Sequence, residues 1–167
     1  MTWSAAEIWA LGTKAARGAG APPAQAARFG QVAPHHLMTG RDATLLGAAL
    51  DALPDGPVLS FPLAVDRALI ALAQEGEAVV QGVPFDALLQ SYVDTLPFEV
   101  AVTQTGHDNR WVLKGNLAVP RAAVTLKRIV GCDALIDQMQ RLAARTFVPE
   151  SHVSRRSGAG AGLTDND

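Results

Sequence analysis

The chain has 167 residues, enough for one domain that buries roughly two thirds of the surface its unfolded form would expose, so it needs no disulfide or metal staple. Lys plus Arg number 14 against 16 Asp plus Glu, a net charge of -2 with no basic block, which removes the electrostatic argument for binding nucleic acid. Hydrophobic residues make up 49% but aromatics only 5%, which predicts a core of Leu, Ala and Val, and the single cysteine, Cys132, excludes an intramolecular disulfide and fits a reducing, cytoplasmic address.

Met1 to Glu7 carry no positively charged leader, so no targeting signal is read there. In Ser4-Ala5-Ala6-Glu7 the hydroxyl and the carboxylate can each satisfy the other residue's backbone N–H, a capping box, with Trp3 and Ile8 as its hydrophobic staple. Ile8, Leu11 and Ala15 continue the apolar face of a first helix, which Gly18 and Gly20 stop. Pro22 and Pro23 suit the first turn of a second helix with the face Ala27, Phe29 and Val32, and Pro34 is expected to kink or end it.

Asp42 is expected to cap a third helix through Leu53, followed by the turn Pro54-Asp55-Gly56-Pro57. Val58 to Phe61 reads as a short extended piece. Pro62 then starts a helical pattern carrying Val65, Leu69 and Leu72, halted by Gly76. The most apolar windows, 43–53 and 63–73, are each about eleven residues, short of the ~20 of a membrane span, and no membrane association is expected.

Ala78 to Val83 reads as a strand. After it, Phe85, Leu88, Leu89, Tyr92 and Leu96 form a strong helical stripe ended by Pro97. The period then changes to two: Phe98, Val100 and Val102 alternate with Glu99, Ala101 and Thr103. Gly106-His107-Asp108-Asn109 makes a turn, and Trp111 and Leu113 oppose Arg110, Val112 and Lys114, together a β-hairpin. Ala122 to Val130 offers a third extended piece, and Asp133 is expected to cap a last helix with Leu135, Ile136, Met139 and Leu142. The pattern predicts an α+β fold: N-terminal helices, a small, mostly antiparallel sheet with a hairpin, and a C-terminal helix. Residues 1–149 form one domain in this reading, and 150–167 an extended glycine-rich tail.

Two stretches carry a resemblance. Glu7-Ile8 through Lys14-Ala15-Ala16-Arg17-Gly18-Ala19-Gly20, and Leu142 to Ser151 with Ser154-Arg155 and Gly158-Ala159-Gly160-Ala161-Gly162-Leu163-Thr164-Asp165-Asn166-Asp167, resemble a family of small proteobacterial proteins, domain of unknown function 3726. That resemblance implies a bacterial protein but assigns no activity and no functional residues. The first helical hairpin is also weakly similar to the opening helices of the lactate/malate dehydrogenase family that binds nicotinamide without a Rossmann fold. Where that family continues with Asp-Ser-His-Gly, this chain has Pro34-His35-His36-Leu37-Met38-Thr39-Gly40.

Alternate glycines Gly158, Gly160 and Gly162 strip one side of an extended tail bare, so that its backbone can lie close to a partner. Arg155 and Arg156 at its base can clamp a carboxylate or phosphate. Asp165, Asn166 and Asp167 gather hard oxygens; Asp165 and Asp167 are weak candidates for binding Mg²⁺ or Ca²⁺. The plain alternative is a frayed terminus. As a phosphate loop the segment fails, because it has no following helix and no P-loop lysine.

His35 and His36 are adjacent, hence about 100° apart on a helix, poor spacing for shared metal ligation; His107 and His152 have no partner at ligand spacing. Cys132 is a weak catalytic candidate, since at a helix N-terminus a thiol pKa can fall, although an isolated cysteine is more often inert packing. No cofactor is implied. Two functions follow. The first is a non-catalytic accessory or assembly protein that uses its tail to hold a protein partner or a second copy. The alternative is a small enzyme or binding protein closing its Arg/Gly/Asp tail over an anionic metabolite, with or without a divalent metal.

Overall fold

The computed structural model describes residues 1–81, 86–105, 110–122 and 127–146. Four helices come first: α1 (Ala5–Gly18), α2 (Pro23–Met38), α3 (Ala43–Asp51) and α4 (Pro57–Glu75). Then follow β1 (Glu77–Gln81), α5 (Asp86–Asp94), β2 (Phe98–Thr105), β3 (Arg110–Pro120) and α6 (Asp133–Ala143), which passes into a 3-10 turn at Ala144–Thr146. The fold is α+β, with one antiparallel sheet in the order β1-β3-β2.

Local chemistry starts and stops these helices much as the side chains dictate. The Ser4 and Glu7 capping box is present at α1, each side chain bonded to the other's backbone N–H, and Trp3 packs against the core to which Ile8 belongs. The Asp42 carboxylate accepts the Thr44 N–H at 2.9 Å to start α3. Gly76 ends α4 in the left-handed region at φ 76°, where a Cβ is strained.

The hairpin alternates as its sequence period requires. Leu113 pairs with Val102 across β2 and β3 and with Ala78 across β1, so these three side chains share the inner face, while Glu77, Lys114 and Ala101 share the outer one. Inside, α4 lies across β1 and β3. The core runs from Ile8, Phe29 and Leu46 through Val58, Leu88 and Tyr92 to Leu113 and Met139.

Several local expectations are corrected. Val58 to Phe61 is helical, not extended: Pro57 occupies the first turn of α4, and Val58, Phe61, Val65 and Leu72 bury one continuous side. Pro62 is therefore inside α4, and Pro34 is inside α2, which continues to Met38. Each proline removes one helix hydrogen bond, but both rings are buried, and that packing offsets the loss. Joined in this way, α4 has the length and mean hydropathy of 1.3 that a membrane crossing needs by composition. Here its apolar side packs on the core, and Asp66 pairs with Arg28 of α2 at 3.1 Å.

In α2 the inward residue is Ala26, and Ala27 is exposed. The third strand of the sheet is β1, not the 122–130 stretch; there Ile129 makes only an isolated bridge to Trp3, and 123–126 lie outside the described residues. The N-cap of α6 is Cys132, with Asp133 as the first helical residue. The expected turn at 106–109, Phe85, Pro149 and the whole tail also lie outside the described residues.

Candidate functional site

Five segments meet at the C-terminal end of α5. From α2 come His35 and His36, from the α2–α3 corner Arg41 and Asp42, and from α5 Gln90, Ser91 and Asp94. Arg121, just past β3, closes one side, and α1 brings Trp9.

Asp94 is the hub. Its Oδ2 accepts from Arg41 Nη2 at 2.6 Å and its Oδ1 from Gln90 Nε2 at 2.8 Å. His35 Nε2 stands 3.8 Å from Oδ2, and Arg121 Nη1 stands 3.9 Å from Oδ1. Burial alone would raise the Asp94 pKa, but the contacts with His35, Arg41 and Gln90 outweigh it and hold the carboxyl well below the usual carboxylate range. Arg121 also closes the open end of α5, where its Nε donates to the Leu96 carbonyl at 3.1 Å and its Nη2 lies 3.4 Å from that of Val93.

Behind this cluster lies a dry one. His36 and Ser91 are both 0% exposed. His36 Nε2 is 2.9 Å from the Asp42 carbonyl oxygen, which can only accept, so Nε2 carries the proton, and Nδ1 lies 2.8 Å from the Ser91 hydroxyl, whose single proton is shared between that nitrogen and the Ala87 carbonyl oxygen at 2.9 Å. Arg41 Nη1 donates to the same Ser91 oxygen at 2.8 Å. Arg41 thus links the two clusters. Burial pushes the His36 pKa down, and Arg41 and His35 add to it against the Asp42 carbonyl bond, so the ring is neutral. The spacing is that of a nucleophile and its base, but solvent and substrate have no access to it.

The Asp94 cluster is reached from outside. A cleft of about 490 Å³ has Asp94, His35 and Arg121 on its floor and Trp9, Pro34, Met38, Leu96 and Pro97 among its walls. Trp9 is 53% exposed, a large apolar surface left at the rim. On that floor the Asp94 carboxylate stands beside the Arg121 guanidinium while its other charge partner, Arg41, lines the far side, and Arg121 Nη1, beyond hydrogen-bond range of Asp94, keeps donor capacity toward the cleft.

Of the residues weighed from sequence, His35 and His36 fall in this site, and of the proposed site residues Cys132 alone is among those described. It lines a separate groove between α3 and α6, is 5% exposed and starts α6. The expectation of a lowered thiol pKa is corrected: burial, and then the Asp133 carboxylate, push it up, because desolvation outweighs the helix end. Arg155, Arg156, Gly158, Gly160, Gly162, Asp165, Asn166 and Asp167 lie outside the described residues, as do His107 and His152. Among the described residues no three His, Cys, Asp or Glu side chains gather at metal-binding separation.

Sequence reasoning missed Arg41, Ser91, Asp94 and Arg121, which are spread over 81 positions of the chain between the α2–α3 corner and the end of β3. The available signal was an acid at the C-terminal end of a helix, Asp94 in Tyr92-Val93-Asp94, where a carboxylate faces unfavourable carbonyl ends unless cations hold it. No family model, curated protein or solved structure matches this chain.

Proposed function

We propose that the domain is a non-catalytic binding protein for a small anion with an apolar body, taken up in the cleft between Trp9 and Arg121. The observation that carries this reading is the cleft itself: its volume is within the ~300–1,000 Å³ of small-molecule sites, with apolar walls and the convergent polar groups His35, Asp94 and Arg121 on its floor, Asp94 being already neutralised from behind by Arg41. Arg121 Nη1 and His35 supply donors for a carboxylate or phosphate, and the Trp9 ring lies against the apolar part. The second of the two readings drawn from the sequence is thereby kept in its binding form, with the site moved from the tail to the folded domain. What speaks against catalysis here is that the Ser91 and His36 pair, the arrangement closest to a nucleophile and base, is wholly enclosed.

Trp9 fluorescence tests this. Phenylacetate and octanoate at millimolar concentration should shift the emission saturably in wild type, and Arg121→Gln should weaken the response at least about tenfold, the equivalent of one charge-assisted hydrogen bond. Neutral phenylacetamide should bind less tightly than phenylacetate. A linear, unsaturated response to all three probes, identical in Arg121→Gln, would overturn the proposal.

A further inference from the structure

Away from the Arg41 corner, the sheet ends in a free edge. Strand β1 pairs with β3 along Glu77 to Gln81, and its other edge has no strand partner among the described residues. Such an edge offers a row of backbone donors and acceptors to an incoming chain. Beside it lies a trough of about 240 Å³ walled by Ala64, Arg67, Ala68 and Ala71 of α4 and by Ala78 of β1. Helical spacing places Leu63 and Ile70 next to Arg67 on the same flank, and both are exposed, at 47% and 60%, as is Val79 of β1 at 60%. Three large apolar residues thus border an alanine-lined trough, and Arg67 has no ion-pair partner among the described residues.

We infer that this edge receives the chain's own C-terminal segment, Gly158–Asp167, as a fourth strand. The segment's sequence alternates with period two: Ala159, Ala161, Leu163 and Asp165 fall on one side of an extended chain, and Gly158, Gly160 and Gly162 on the other. Small and apolar residues followed by an acid match an apolar trough that carries the Arg67 cation. The spacings also agree. Two residues of strand advance ~6.6 Å, and the four residues from Ala71 to Arg67 advance ~6 Å along α4, so Leu163 against Ala71 sets Asp165 at Arg67. The bare glycine side faces away from α4 and needs no pocket. Reach is sufficient: residues 147–157 follow Thr146 and span up to about 36–40 Å when extended, close to the expected diameter of a domain this size.

Hydrogen exchange on the full-length chain reads this directly at the amides of residues 77–81. Arg67→Asp and Leu163→Asp should each speed exchange there about tenfold, with unchanged circular dichroism, and adding Asp165→Arg to Arg67→Asp should restore most of the protection. Leu163→Asp changes no residue of the described core, so it tests the idea even if Arg67→Asp perturbs folding. Exchange that is the same in wild type and Leu163→Asp would overturn the docking. Protection that falls on dilution of wild type, together with a doubled mass in light scattering, would place a second copy's segment there and overturn the intramolecular form.

Discussion

The Ser91 hydroxyl lies 2.8 Å from Nδ1 of His36 with both residues shut away from solvent, which ties α5 to the end of α2 through a ring that must stay neutral. The groups facing that ring are Ser91 from α5, Arg41 and Asp42 from the corner, and His35 beside it.

Acid should therefore weaken the fold before its carboxylates titrate. The His36 pKa is lowered in the folded state, so below the unfolded value of about 6.5 the unfolded chain binds the extra proton and stability falls with falling pH. The limiting slope for one group is about 1.4 kcal/mol per pH unit. Urea midpoints at pH 7.5 and pH 5.5 should show the loss, and His36→Gln, which can still donate to Asp42 and accept from Ser91, should start less stable but lose less on acidification. Equal slopes in both proteins would show that the pH dependence comes from other groups.

Asp94 acts in a lower window. Its folded pKa is depressed, so its contribution is complete above the unfolded value near 4 and is lost as pH falls through the folded value. Asp94→Asn should cost about 2 kcal/mol at pH 7, between the values for exposed and fully buried pairs, because Arg41 then loses its counter-charge while both side chains are mostly covered. In a double-mutant cycle with Arg41→Met, the coupling measured by urea denaturation should be about 1–2 kcal/mol at pH 7 and should decline only as pH falls well below the ordinary carboxylate range, toward the depressed folded pKa of Asp94.

The parts of the fold governed by neighbours in sequence were legible there. Ser4 with Glu7 and Asp42 with Thr44 are local bonds, and the alternation of Val100, Val102, Trp111 and Leu113 follows from strand geometry alone. Prolines misled where tertiary burial wins: Pro62 read as a helix start and Pro34 as a kink or an end, but each lies inside a helix whose core side continues through it. The cleft was illegible because its floor joins residues from α2, α5 and the end of β3, and nothing in the spacing of Arg121 and Asp94 announces a contact across 27 positions. Cys132 was read from a single rule about helix ends, and burial of its thiol reverses the sign.

The crossing of α1 over α2 depends on a missing Cβ. At Gly30 an added Cβ would stand 2.8 Å from the Trp9 carbonyl oxygen and 2.0 Å from Thr13 Oγ1; the hydroxyl could rotate away, but the backbone oxygen could not. Gly30→Ala gains helix propensity worth about 1 kcal/mol, yet it forces the helices apart at an overpacking cost of about 1–3 kcal/mol, so the net change should be destabilising. Because Trp9 forms the cleft rim, the same substitution should also shift Trp9 fluorescence in the folded protein. A rise in thermal midpoint with unaltered emission would contradict this account of the crossing.

Tyr92 should behave in the opposite way. Its ring is 0% exposed and packs edge-on against Phe61 with centroids 6.0 Å apart, but its hydroxyl has no hydrogen-bond partner among the described residues. A buried hydroxyl left unpaired costs about 1–3 kcal/mol, and the apolar surroundings push its pKa up, so it gives the fold neither a bond nor a charge. Tyr92→Phe keeps the ring, and with it the contact to Phe61, and removes only the stranded oxygen. Its thermal midpoint should match or exceed wild type, by up to about 1 kcal/mol in stability, whereas Tyr92→Leu should lose about 1–3 kcal/mol through the change of shape. If Tyr92→Phe instead destabilised the protein by more than about 1 kcal/mol, the hydroxyl would have to hold a partner, and an ordered water at Tyr92 would be the first place to look.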